Sequence, residues 1–340
     1  PFEASSTGGN RGNFNRYLTG AIGWTRTITP TTINDARVSM FRGIQERLLS
    51  QNLTDLGIPN LNIVGLPMAA IPGYNGLGDS QAFNPVENQL QIQNVTTFVR
   101  GKHIVKTGID WRTFPINDLQ LQFTGEYTFA ANQTGDPSNL GTTGHPLGSL
   151  LLGLADTFNN STLRGRFYYR SKYLGAFVQD DWKISPNLTL NLGLRYDVEQ
   201  NPREIRQQGS NFDLALGRPV TMRELNRNFI QFTDRLNFAP RAGLSWRPFS
   251  RTVIRSHYGM FFIPLTGRAT SAFSRFPADQ RLGLQSDGLN PAVVLSQTPP
   301  IVPSVNGFGF AHDSKIEHAK LGDFQQWNFD LQHELAGMLL

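Results

Sequence analysis

From Leu188 to Asp197 the chain alternates without a break. Leu188, Leu190, Leu192, Leu194 and Tyr196 occupy the even positions, and Thr189, Asn191, Gly193, Arg195 and Asp197 the odd ones. A period of two is the mark of a strand, because successive side chains point to opposite faces. The segment before it, Tyr173 to Lys183, alternates less cleanly, with Leu174, Ala176, Val178 and Trp182 set against Tyr173, Gly175, Phe177, Gln179 and Asp181. Between the two lies Ile184-Ser185-Pro186-Asn187, rich in turn formers. Lys172 to Asp197 is therefore expected to be an antiparallel hairpin with one apolar and one polar face. Each arm has roughly the 9 to 11 residues that a tilted strand needs to cross a bilayer's hydrocarbon layer. Trp182 stands at the turn end, where an interfacial aromatic belongs.

Composition narrows the classes. The 340 residues, 39% hydrophobic, suffice for one large domain or two ordinary ones. Lys and Arg number 31 against 26 Asp and Glu, for a net charge of +5 and a pI near 9.6. The basic residues are scattered among acids and never form a run, which argues for a mixed solvated surface and against a nucleic-acid partner. With no cysteine, there is no disulfide framework, thiolate metal site or cysteine nucleophile. No apolar run approaches the roughly 18 residues of a membrane helix. The mean hydropathy of −0.31 does not exclude a barrel, since half of each spanning strand faces a polar lumen. The chain starts at Pro1 with no signal peptide, as expected of a mature chain or a fragment.

The hairpin pattern recurs along the chain. Residues 1–14, rich in Gly, Ser and Asn, are expected to be a flexible lead-in, and residues 15–340 a partial barrel domain. Tyr17 to Thr27 and Thr32 to Arg42 form a second hairpin around Ile28-Thr29-Pro30-Thr31, with Trp24 just before the turn. A long Gly- and Pro-bearing segment runs from Gly43 to about Asn88, of a kind barrels place on one side of the membrane. Residues 89–99 and 103–112 make a third hairpin, with Lys106, Asp110 and Arg112 among the polar set. Phe123 to Ala130 and Phe158 to Tyr169 are expected to be strands, and Leu147 to Leu154 a short helix or buried loop. Further on, Phe238 to Arg247 turns at Pro248-Phe249-Ser250 into a return strand through Ile254 to Met260. After a long loop, about Pro264 to Lys320, a last strand carries Trp327, Phe329 and Leu331. Ala336-Gly337 reads as one more short turn, so the barrel is expected to be unfinished, with about eleven strands. Trp24, Trp182 and Trp246 precede short turns while Trp111 and Trp327 lie near the far ends of their strands, as two interfacial belts would require.

Catalytic readings fail on their own geometry. Asp180 and Asp181 are adjacent, so a strand sends their carboxylates to opposite faces and they cannot act as a paired acid and base. Gly243-Leu244-Ser245-Trp246-Arg247 begins like a nucleophile elbow but lacks the second Gly and a following helix. Gly307-Phe308-Gly309 follows no strand and opens no helix, so it is no phosphate cradle. His312, His318, Asp313, Glu317 and Asp323 cluster in the last long loop without a recognised ligand spacing. No catalytic, cofactor or metal residue is expected. The side chains expected to face a lumen are Asp110, Arg112, Arg195, Asp197, Arg241, Arg255 and His257.

Four segments carry a family resemblance. They are Phe177-Val178-Gln179-Asp180-Asp181-Trp182-Lys183-Ile184-Ser185-Pro186 with Leu188 to Asp197; Arg100-Gly101-Lys102-His103 with Lys106-Thr107-Gly108-Ile109-Asp110; Pro240-Arg241-Ala242-Gly243-Leu244-Ser245-Trp246; and Gln325-Gln326-Trp327-Asn328. Spanning about residues 89 to 334, they resemble the barrel of TonB-dependent outer-membrane receptors, above all the Oar-like group. The resemblance implies an all-β, antiparallel transmembrane barrel of about 22 strands closed around a plug. It also implies short periplasmic turns, long extracellular loops and uptake of a bulky solute driven by the TonB complex. This chain would supply the first half of that barrel. Its partners would be outer-membrane lipid, the solute, and a plug domain and TonB complex outside the chain, with no cofactor. Two rivals stand beside this reading: a passive porin or structural outer-membrane protein, and a soluble all-β carbohydrate-active enzyme that hides its Leu stripe under a second sheet.

Overall fold

The computed structural model describes residues 13–47, 68–76, 82–121, 124–161, 166–263, 281–300, 318 and 320–335. Nine long strands dominate these residues. They are β1 (Asn13–Thr29), β2 (Thr32–Arg47), β3 (Val86–Arg100), β4 (His103–Asp118) and β5 (Phe167–Ser185), then β6 (Leu188–Glu199), β7 (Phe238–Phe249), β8 (Thr252–Phe262) and β9 (Asp323–His333). Each pairs antiparallel with its neighbours in sequence, so the sheet is a simple up-and-down meander from β1 to β9. Four of its connections are two-residue turns, at 30–31, 101–102, 186–187 and 250–251, and the other connections, at the opposite end, are long. The short turns follow from local chemistry: Pro30, Gly101 at φ 58° and Pro186 supply the backbone that such turns need.

Register fuses the alternating faces into two continuous surfaces. On one, Val38 pairs with Ile22 and Ile92, Trp111 with Ile92 and Leu174, and Leu190 with Trp182 and Leu244. This surface has no second layer: Ile109, Val178 and Leu192 are 53%, 49% and 47% exposed. A soluble sandwich would cover such a stripe, so the soluble-enzyme rival loses its premise over these residues. Aromatic side chains bracket the stripe. Trp182 pairs with His103 and Leu174 with Trp111, eight residues along the same two strands. That offset is about 26 Å at roughly 3.3 Å per residue, or about 20 Å along the membrane normal at the usual tilt of roughly 40°.

The strands run on past this band at the long-loop end, where water returns and the core becomes conventional. Ile116, Phe167 and Tyr169, at that end of β4 and β5, bury against Met222 and Ile230 from the loop between β6 and β7. Glu204 pins this loop. Its fully buried carboxylate accepts the amides of Tyr168 at 3.0 Å, Arg206 at 3.0 Å and Gln208 at 2.8 Å.

A second, smaller sheet stands apart from the wall. Met68–Ala70, Thr124–Thr128, Thr157–Ser161 and Arg281–Gln285 join three different loops, over a core of Tyr127, Phe129, Ala155, Phe158 and Val293. Here the strand expectations need correcting. Phe123 to Ala130 is a strand over Thr124–Thr128, but in this outer sheet. Phe158 to Tyr169 is not one strand: Thr157–Ser161 belongs to the outer sheet and β5 starts only at Phe167. A strand pattern does not say which sheet takes the strand; Tyr127, Phe129 and Phe158 are 1%, 1% and 0% exposed, packed in the core of the outer sheet. The expected short helix is α1, Pro146–Leu151, with the His145 ring accepting the Leu147 amide as its cap. The expectations for residues 1–12, Gly307-Phe308-Gly309, His312, Asp313, Glu317 and Ala336-Gly337 lie outside the described residues.

Candidate functional site

The polar face of the wall is built from the same i, i+2 arithmetic that makes the apolar one. Asp110 and Arg112 sit two apart on β4, and Arg195 and Asp197 two apart on β6. Across the register, Gln93 faces Asp110 and Gln91 faces Arg112. Asp110 accepts from Gln91 at 3.0 Å, Gln93 at 3.3 Å and the Arg112 Nε at 3.1 Å, and is 9% exposed. Its partners offset the cost of burying a carboxylate. Arg195 Nε grips both Asp197 oxygens, at 2.9 and 3.0 Å.

Tyr173 on β5 joins the two pairs. Its register partners are Arg112 on one side and Glu199 on the other. The Arg112 guanidinium lies over its ring, 5.1 Å from the centroid, and its hydroxyl donates to Asp197 and accepts from Arg195. This arrangement requires Gly175. A Cβ there would stand 2.5 Å from the Tyr173 hydroxyl and 2.6 Å from Arg195 Nη2, so only glycine lets the network close over the strand.

Arg241 on β7 stands between Gly193 and Gly259, and its guanidinium rests 4.7 Å from the centroid of the Phe261 ring. Arg112, Tyr173, Arg195, Asp197, Arg241 and Phe261, with Ile263 and Leu321, line a half-open cavity of about 180 Å³. Arg241 also borders a wider hollow of about 420 Å³ with Gln179, Asn191, Arg255, His257 and Asp330. Arg255 donates to Gln332 at 3.3 Å, and the Asn328 side chain accepts the His257 amide at 3.1 Å.

Register puts Asp110, Arg112, Arg195, Asp197, Arg241, Arg255 and His257 on one face of the sheet, in two groups that meet at Arg241. Asp110 stands behind the smaller cavity as a support for Arg112 and does not line it. Sequence reasoning missed Tyr173 and Phe261. Their signal was period two with Gly175 and Gly259, small residues that leave room for an aromatic beside them. Asp180 and Asp181 do face opposite ways. Asp181 accepts from Asn191 at 2.6 Å on the polar face, and Asp180 pairs with His103 at 2.6 Å on the other. Gly243 to Arg247 lies inside the unbroken strand β7, which leaves no elbow. Among the described residues no three His, Asp or Glu side chains gather as metal ligands. The arrangement can present guanidinium groups, a phenol and amides to an oxygen-rich or aromatic solute.

No curated protein matches the chain. Among solved structures, it is similar to P. aeruginosa FpvA in complex with heterologous pyoverdines, at 12% identity over 74% of this chain and 27% of that one, with a TM-score of 0.38. The copper transporter OprC gives 13% identity over 95% and 37%, with a TM-score of 0.46. The ferric-catecholate import receptor Fiu from E. coli K12 gives 13% over 75% and 34%, with a TM-score of 0.37. The chain thus spans about a third of the length of these proteins. The family model described as the outer membrane beta barrel domain matches residues 1–340. Nine meandering antiparallel strands, an uncovered apolar belt and that whole-length match agree: the chain belongs to the outer membrane β-barrel domain family.

Proposed function

We propose that this chain is part of the wall of a TonB-dependent receptor, residues 15–340 forming about half of a barrel that moves a bulky solute across the outer membrane without transforming it. The observation that carries the reading is the cavity between Arg112, Tyr173, Arg195, Arg241 and Phe261, placed toward the long-loop end of the polar face. A water-filled pore needs only a solvated lining, whereas this one holds Asp197 nearly dry, is backed by buried Asp110, and stacks two guanidinium groups on rings. Such preorganisation suits recognition. Asp110, Arg112, Arg195, Asp197, Arg241, Arg255 and His257 would face the lumen, meeting solute and a plug domain. Because the outer membrane holds no nucleotide, moving a plug requires work transmitted from the inner membrane.

Uptake by cells carrying the full-length parent protein tests this. Collapsing the inner-membrane proton gradient should stop uptake while surface binding of solute persists, and Arg241→Ala should weaken that binding. Uptake that continues undiminished without the gradient would replace this reading with a passive porin.

A further inference from the structure

Besides the Asp180–His103 pair, the lipid-facing side of the wall carries a polar run along one lateral row, with Asn94 beside it. Arg26 pairs with Asn34, Asn34 with Thr96 and Thr96 with Thr107; the row then continues through Val178 to Leu194. Every member sits on the face that carries Ile22, Val38, Ile92 and Ile109. Because barrel strands tilt, a lateral row climbs through the membrane. Arg26 and Asn34 flank the turn at 30–31 closely, whereas Val178 and Leu194 stand well past theirs at 186–187. The row thus starts at the depth of the periplasmic headgroups and ends near mid-bilayer.

Its polar end is organised. The Asn34 amide donates to Asn94 at 3.0 Å and to Thr96 at 2.8 Å, and Asn94 donates back at 3.2 Å. Arg26 is exposed, lies over the Trp24 ring at 5.9 Å and has no carboxylate against it among the described residues. The Asn34 amide is satisfied by these bonds, which leaves the second N–H of Asn94, costly on a lipid face unless something polar meets it. Its upper end is a groove of about 420 Å³, with Asn94, Thr96 and Thr107 at the mouth and Ala176, Leu194 and Tyr196 beyond. Ala176 makes the groove by its size, since its same-face neighbours on β5 are Leu174 and Val178.

We infer that this row is a binding site for one phospholipid of the periplasmic leaflet. Its phosphate meets Arg26 beside Asn34 and Asn94, and an acyl chain lies in the groove over Ala176. The surface is continuous with the barrel's lipid-facing belt, so a membrane lipid is the molecule already in contact with it. Arg26 supplies the cation that a phosphate diester needs. From Asn34 on β2 to Val178 on β5 is three strand spacings, about 14 Å, within the reach of one acyl chain.

The test uses the full-length protein in mild detergent, titrated with palmitoyl-oleoyl phosphatidylglycerol and read by native mass spectrometry, with folding checked by the migration of unheated barrel on gels. One lipid should be retained beyond the statistical distribution. Arg26→Gln should reduce its retention roughly tenfold, the loss expected for one charge-assisted hydrogen bond. Ala176→Phe, which fills the groove with an apolar ring and leaves the polar row intact, should reduce it as well; Ala176→Leu serves if that variant folds poorly. Unchanged retention in the groove variant, a loss confined to Arg26→Gln, or no singly retained lipid in the parent would each overturn the site.

Discussion

Leu194→Arg puts the face assignment at risk. The Leu194–Val178 rung lies four residues from the Leu190–Trp182 rung and four from the Val198–Leu174 rung that Trp111 joins, midway between the aromatic levels. Leu194 is 44% exposed on the belt. Arginine at the midplane of a lipid face costs about 2 to 4 kcal/mol, because snorkelling from there must cross about 10 Å of hydrocarbon in either direction. At roughly 1.4 kcal/mol per factor of ten, the folding equilibrium should fall about 30- to 700-fold. Asn191, three residues away on the opposite face, provides the control. It donates to Asp181 at 2.6 Å, and Asn191→Arg would set a guanidinium beside that carboxylate, so its cost should be small. The assay is guanidinium titration of the full-length barrel in phosphatidylcholine vesicles, followed by tryptophan fluorescence. Equal penalties at the two positions would refute the two-faced wall.

Two further outcomes follow from local geometry. Gly175→Ala should change stability by less than about 1 kcal/mol, because a Cβ there meets only the movable ends of Tyr173, Arg195 and Asp197, yet it should weaken solute binding by displacing Tyr173 and Arg195; unaltered binding would detach the cavity from function. Asp287 is held down to about 2, first by the Asn290 amide and then by the Asn290 side chain and Leu289 amide, against 3.8 for the free group. With the folded value depressed, its contribution is complete above the unfolded value and is lost as pH falls from near 4 through about 2. Pepsin should therefore cut beside Leu289 only toward the acid end of that window, and Asp287→Ala should remove this protection at every pH; cleavage of the parent already complete at pH 4 would contradict it.

The long strands were legible in the sequence because each one's two faces meet different solvents, and period two records that locally. Leu188 to Asp197 needs no partner to declare its apolar side, and Pro30, Gly101 and Pro186 mark where the chain reverses. The polar set was legible for the same reason. What no local pattern holds is the choice of partner. Thr124–Thr128 and Thr157–Ser161 are extended like wall strands, yet they join Arg281–Gln285 in the outer sheet, because Tyr127, Phe129, Phe158 and Val293 share a dry core only when the loops that carry them meet. Tyr173 belongs with Arg112 and Asp197, and Arg241 with Phe261, through register and the space left by Gly175, which appear only once strands lie side by side. Sequence fixes which way a side chain points, since that depends on its own backbone; its neighbour across the sheet depends on hydrogen-bond register between segments far apart in the chain, which tertiary structure alone decides.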